Sequence, residues 1–275
     1  MSFYPKQLLV RVTLLTVCAC GLLSLGQAQS SHSEQVMIKP PLLRLVDPPS
    51  PDATAQQLEA RADELRSVKL FLDALDYYRA ALGKEPKSAR LLNKIGITEL
   101  MMQRYRDAKR SFDLAVRADH KFADAYNNMG VVYYEGQKYS AAVREYRRAI
   151  ALDGESASFY NNLGAALFAK KDFEPSVKAY SRAMELDPDV FERTSHTGVQ
   201  AQLPGPEDRA RYDYTVARLY AKMGFSERSL EYLRKAMEEG YKDFKNVYKD
   251  VEFAELRKDK RFTDLMAMKI PALPE

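Results

Sequence analysis

The sequence predicts an all-α protein built as a solenoid of stacked helix-turn-helix pairs, closed by a helical C-terminal cap. Three kinds of residue predict it. Small residues recur every 34 positions at Ala62, Gly96, Gly130 and Gly164, and alanines hold the same step at Ala81, Ala115, Ala149 and Ala183. Aromatic residues do so twice, at Phe71, Tyr105, Tyr139 and Phe173 and at Tyr78, Phe112, Tyr146 and Tyr180. The columns define repeats at 55–88, 89–122, 123–156 and 157–188. A fixed period of this length marks a repeat architecture.

The N-terminus reads as an export signal, 1–28. Lys6 and Arg11 are its only charges, an apolar run of 14 residues follows from Val12 to Leu25, and Gly26-Gln27-Ala28 offers small residues at a cleavage site. A permanent membrane helix needs roughly 17 to 25 apolar residues. The expected mature chain therefore begins at Gln29, carries no membrane span, and is periplasmic or secreted. Both cysteines, Cys18 and Cys20, fall inside the signal, so cleavage leaves no thiol for disulfides, catalysis or metal binding. Val17-Cys18-Ala19-Cys20 loosely resembles a bacterial lipobox, which keeps open a lipoprotein form anchored at Cys20.

Residues 29–54 carry Pro40, Pro41, Pro48, Pro49 and Pro51 and read as a Pro/Ser-rich extended spacer. Cleavage after Ala28 lowers the net charge from +4 to +2, with both signs mixed along the helices. Nucleic-acid binding would need Lys and Arg gathered on one face. The absence of tryptophan and the low glycine content fit a helical protein.

Packing explains the columns. Small side chains sit where paired helices cross, and large ones fill the flanking volume. Each pair leaves an apolar face uncovered, so neighbouring pairs must stack. Tyr126-x-x-Met129-Gly130-x-x-Tyr133 and Ala108-x-x-x-Phe112-x-x-Ala115, with Pro86 and Pro188 at turns, resemble the tetratricopeptide repeat family. Tyr160-x-x-Leu163-Gly164-x-x-Leu167 and Ala142-x-x-x-Tyr146-x-x-Ala149 repeat the pattern. The resemblance implies a right-handed solenoid that binds other proteins or peptides. Departures are His120 and Gly154 for the turn proline, Ser176 for alanine and Ala62 for glycine. Pro175 falls in the first turn of a helix capped by Asp172, where proline costs no backbone bond.

Residues 189–208 contain Gly198, Pro204, Gly205 and Pro206 without periodicity and read as an insertion. A divergent fifth repeat is expected at 209–240, with Ala217, Tyr220, Leu230, Leu233 and Ala236 in its columns. Apolar residues at Phe244, Val247, Tyr248 and Val251, then Phe253, Leu256, Phe262 and Leu265, predict a helical cap over 241–275. That segment is similar to C-terminal extensions of exported bacterial tetratricopeptide proteins.

No catalytic constellation emerges. His32, His120 and His196 lie apart, with no HExxH pairing and no glycine-rich phosphate loop. The expected protein is a non-catalytic adaptor or scaffold without cofactor or metal. Enzymatic or glycan-processing chemistry would need polar residues gathered in the insertion or tail, near Ser195, His196 and Asp208.

The candidate binding residues lie on the first helix of each repeat. With Met129, Gly130 and Tyr133 packed inward, the stripe Asn127, Val131 and Tyr134 faces elsewhere. The resemblance implies that this is the concave inner surface. Asn161, Ala165 and Phe168 repeat the stripe, and Asn93, Ile97 and Leu100 precede it. Next to it run Lys94, Asn128 and Asn162, similar to the asparagine ladder with which some members hold a ligand's main chain. Asparagine both donates and accepts, so Asn93, Asn127, Asn128, Asn161 and Asn162 are candidates to pair with an extended peptide. Tyr134 and Phe168 would take its apolar side chains, or else cover the next repeat. A cationic clamp for a partner's carboxylate would rest on Lys94 alone, with Arg90 nearby.

Overall fold

The computed structural model describes residues 44–192 and 206–268. The signal segment, Cys18 and Cys20, the start of the spacer, and Ser195 and His196 lie outside them. Among the described residues every regular element is helical. Four antiparallel pairs come first: α1 (Ala55–Ser67) with α2 (Phe71–Lys84), α3 (Ala89–Met101) with α4 (Tyr105–Ala118), α5 (Ala123–Glu135) with α6 (Tyr139–Leu152), and α7 (Ala157–Ala169) with α8 (Phe173–Leu186). A fifth pair, α9 (Pro206–Lys222) and α10 (Ser226–Glu238), precedes a short α11 (Lys260–Ala267). In the first four pairs packing is most extensive within a pair and then between neighbouring pairs, and α9 meets the C-terminal segment more than it meets α8. This is the nearest-neighbour stacking of a solenoid.

Glycine makes the crossings possible. A Cβ built on Gly96, Gly130 or Gly164 would stand 2.5 Å from the ring of Phe112, Tyr146 or Tyr180. No real side chain tolerates that approach, so the aromatic of each second helix lies against bare backbone of the first. Repeat one replaces the glycine with Ala62, which is fully buried, and its aromatic Tyr78 donates its hydroxyl to Asp63 at 2.5 Å.

The turns repeat as strictly as the core. Lys69, Gln103, Gln137 and Lys171 all hold φ between 56° and 65°. Each turn is fastened alike: the Gln137 N–H donates to the Tyr134 carbonyl and the Lys138 N–H to the Tyr133 carbonyl, both at 2.8 Å. In the fifth pair the same pattern reappears at Gly224, with φ of 80° and its N–H donating to Ala221. Ser229 Oγ donates to the Ala217 carbonyl at 2.8 Å, just as Ser176 Oγ donates to Gly164. Gly224 follows Lys171, and Ser229 follows Ser176, by 53 residues rather than 34. Two features that do not depend on one another thus fix the register of the fifth pair beyond the insertion.

Three segments depart from their sequence reading. Residues 44–54, read as spacer, are fastened along α2. The buried Asp73 carboxylate accepts the N–H groups of Leu45 and Val46 at 3.1 and 3.3 Å, Arg44 pairs with Asp76, and Tyr77 donates to the Asp47 carbonyl. Thr54 then opens α1 in a capping box with Gln57. Asp172 occupies the N-cap of α8, but its carboxylate pairs with Lys170 at 2.7 Å instead of capping the helix. The cap is mostly not α-helical: three 3-10 turns, Phe244–Tyr248, Val251–Phe253 and Leu256–Lys258, precede α11. Val247, Phe253, Leu256, Phe262 and Leu265 are buried as expected, whereas Tyr248 and Val251 face solvent. The cap packs onto the last pair at Tyr214, which stacks on Tyr241 and meets Phe244 and Phe253 edge to face.

Candidate functional site

The first helices α3, α5 and α7 touch one another in sequence and form one continuous face of the solenoid. The predicted ligand residues meet on this face, but they meet each other. Asn128 Nδ2 donates to Asn93 Oδ1 at 3.0 Å, and Asn162 Nδ2 to Asn127 Oδ1 at 3.0 Å. Asn127 Nδ2 donates to Asn128 Oδ1 at 3.2 Å and joins the two bridges. Asn93, Asn127, Asn128, Asn161 and Asn162 are all buried. The expectation of amides open to a ligand is therefore corrected. A buried amide must find partners within the fold, and these find them across the seam between repeats.

The remaining candidates are also engaged. Lys94 pairs with Glu59 at 2.6 Å and with Asp63 at 2.5 Å, and Arg90 pairs with the same buried Glu59. A carboxylate clamp would have to draw on cations already paired with Glu59 and Asp63. Tyr134 lies 5.3 Å from Tyr139 and Phe168 lies 5.2 Å from Phe173, ring centre to ring centre, at the elbows of their own pairs. Burial pushes the Tyr134 hydroxyl far above its ordinary range. Both rings are core. Phe168 also meets Tyr212 of the following pair at 6.3 Å, as expected of a cover between repeats, whereas the ring contact of Tyr134 is within its own pair.

What the inner face leaves exposed is its rim. Arg90, Met101 and Glu135 share stripes with the ladder by three- and four-residue steps and remain open to solvent. Partial burial raises the Glu135 carboxyl above its usual range. Asp124, half-buried at the start of α5, is raised in the same way, mainly by desolvation and then by Asp153.

The outer face carries a group that the repeat columns did not single out. Glu145 on α6 is buried, and its two oxygens are divided between two arginines of the same helix, Arg144 at 2.9 Å and Arg148 at 2.9 Å. The sequence signal was Arg144-Glu145-x-x-Arg148, one acid between two bases within a helical turn. These residues border a groove of about 690 Å³ floored by Tyr126, Met129 and Tyr133 of α5, with His120 on its lining. Asp208, named beside Ser195 and His196 for the alternative chemistry, forms an ion pair with Lys171. No group of three or more His, Cys, Asp or Glu residues that could hold a metal ion occurs among the described residues. No helix among them is long and apolar enough to cross a membrane.

A row of paired helices stacked in this way defines a helical-repeat protein. Family profiles agree residue by residue: two described as tetratricopeptide repeat match 93–142 and 157–190, and one described as TPR repeat matches 130–171. Residues 93–190 are matched without a break as tetratricopeptide repeats. No curated protein sequence matches the chain. Among solved structures it is similar to MamA (41-end) from Desulfovibrio magneticus RS-1, at 18% identity over 67% of this chain and 93% of that one, with a TM-score of 0.47. It is also similar to pilF of Pseudomonas aeruginosa, at 19% identity over 75% and 82% and a TM-score of 0.49. YrrB, described as a TPR protein with an unusual peptide-binding site, matches at 21% over 74% and 92%, with a TM-score of 0.44.

Proposed function

We propose that this protein is a non-catalytic adaptor of the bacterial cell envelope that holds an extended segment of another polypeptide along its inner face. The observation that carries the reading is the continuous face built by α3, α5 and α7. Its polar interior is closed by the asparagine bridges, while Arg90, Met101 and Glu135 stay open at its rim. In this reading the ladder sets the shape of the groove and the rim makes the contacts. Export rests on the signal grammar of residues 1–28, and the lipid-anchored form on Cys20.

Photo-crosslinking from engineered positions in living cells tests both parts. A crosslinking residue placed at Met101 or Glu135 is expected to trap one defined envelope protein, and the same residue at Lys178, exposed on α8, is expected not to. Adducts at Lys178 alone would remove binding from the inner face. Mass spectrometry of the captured chain's N-terminus then reads Gln29 for a processed soluble form or a diacylated Cys20 for the anchored one. An intact Met1 would refute export with cleavage.

A further inference from the structure

The outer groove between α4 and α6 is not explained by the inner-face reading. Its floor, Tyr126, Met129 and Tyr133, is the side of α5 that packs between two second helices. Val116 of α4 and Leu152 of α6 add apolar surface, and Leu152 is 43% exposed. Such a floor offers a seat for a single apolar side chain.

The charges along its edge do not balance. Lys109 is neutralised by Asp113 at 2.7 Å on the α4 side, and Lys170 by Asp172 at 2.7 Å. Arg144 and Arg148 share the single carboxylate of Glu145. Arg147, between them on α6 and exposed, makes no ion pair among the described residues. A second groove of about 480 Å³ is lined by Arg144, Arg147, Arg148 and Lys170 together, and it joins the first at Arg144, Arg148 and Ala151. The strip therefore holds two more cations than carboxylates.

Glu145 makes this more than a solvated face. Its side chain is 3% exposed, while the two arginine side chains are each 56% exposed. The buried acid holds Arg144 through Nε and Nη2 and Arg148 through Nη1, and both arginines line the groove. A planar guanidinium fixed in this way loses little further freedom when it takes a carboxylate. The geometry points to a second docking site, on the outer face, for an acidic segment of a partner polypeptide. One apolar side chain would lie over Met129 and Val116, and neighbouring carboxylates would pair with Arg144, Arg147 and Arg148. The recess below the arginines suits a side chain of a polypeptide better than a flat lipid surface.

A fluorescein-labelled peptide of alternating Leu and Glu is the probe, its Leu/Gln counterpart the control, and fluorescence anisotropy on the purified protein the readout. The acidic peptide is expected to bind and the Gln peptide not to. Arg147→Glu, which breaks no internal ion pair, and Arg148→Gln, which leaves Glu145 paired with Arg144, should each weaken binding roughly tenfold, the loss of one charge-assisted hydrogen bond. Unchanged thermal melting of Arg147→Glu keeps that result apart from misfolding. Absence of binding by the unsubstituted protein, equal binding of the Gln peptide, or indifference to Arg147→Glu would overturn the proposal. So would binding to phosphatidylglycerol vesicles that needs Arg147 when the peptide does not bind, which would assign the strip to a membrane surface. Each of these failures leaves the inner-face reading standing.

Discussion

The asparagine seam of the inner face and the Glu145 cluster of the outer face treat polar groups in opposite ways. On the inner face, amides of successive repeats bond to one another and disappear from solvent. On the outer face, one buried carboxylate serves two arginines and leaves part of each exposed. Asparagine is self-complementary, so a column of asparagines satisfies itself as soon as repeats stack. Two cations on one anion cannot reach that balance. A repeated polar column is thus evidence for the seam of a solenoid, and a local imbalance of charge is better evidence for a partner.

The largest expected effect breaks the inner side of this comparison. Replacing Asn128 and Asn162 together by Ala removes both bridges between repeats and leaves buried groups of Asn93 and Asn127 without partners. The expected loss is about 2–4 kcal/mol of unfolding free energy, since each buried orphan costs about 1–3 kcal/mol. Urea denaturation followed by circular dichroism measures it. Undiminished stability with reduced partner capture would return the asparagines to ligand binding.

Glu145→Gln addresses the outer side and should cost about 1 kcal/mol or less, because the arginine heads it holds remain largely in water. Without the carboxylate the two guanidinium groups are no longer held in place, so the acidic probe peptide should bind more weakly despite the added net positive charge. A loss as large as that of the double asparagine variant would mean that Glu145 is a structural pin and that the two faces do not differ.

The smallest effect has the opposite sign. The Tyr146 hydroxyl is buried without a hydrogen-bond partner, and Phe112 fills the same column one repeat earlier. Burial, and after it the neighbouring Tyr134 and Glu135, hold that hydroxyl well above its ordinary titration range. Tyr146→Phe should be neutral or gain up to about 1 kcal/mol by removing a desolvated polar group. A clear loss of melting temperature would reveal a partner for the hydroxyl inside the inner face.

Much of the fold was legible because close packing leaves few choices. A Cβ at Gly96, Gly130 or Gly164 would stand 2.5 Å from an aromatic ring, so these glycines declare the crossing in the sequence itself. The cap was half legible: Val247, Phe253 and Leu256 are buried where helical spacing puts them, but short 3-10 turns deliver them. The attachment of residues 44–54 rests on Asp73, Asp76 and Tyr77 of α2, and proline-rich composition conceals it. The candidate site was less legible. Helix periodicity shows which residues share a face, but not whether the neighbouring repeat covers that face. Asn128 and Asn162 were assigned to the correct stripe, where the adjoining repeat supplies the partner that a peptide was expected to supply.

Hydrogen exchange on the crosslink-captured complex tests the central claim, that a polypeptide lies along the face built by the first helices. Mass spectrometry of the free and partner-bound protein would compare α3, α5 and α7 with α4, α6 and α8. The account predicts added protection at the exposed ends of the first helices, around Arg90, Met101 and Glu135, with the second helices unchanged except for α6 if the outer groove is also filled. Protection confined to the second helices, with α3, α5 and α7 exchanging as in the free protein, would contradict it.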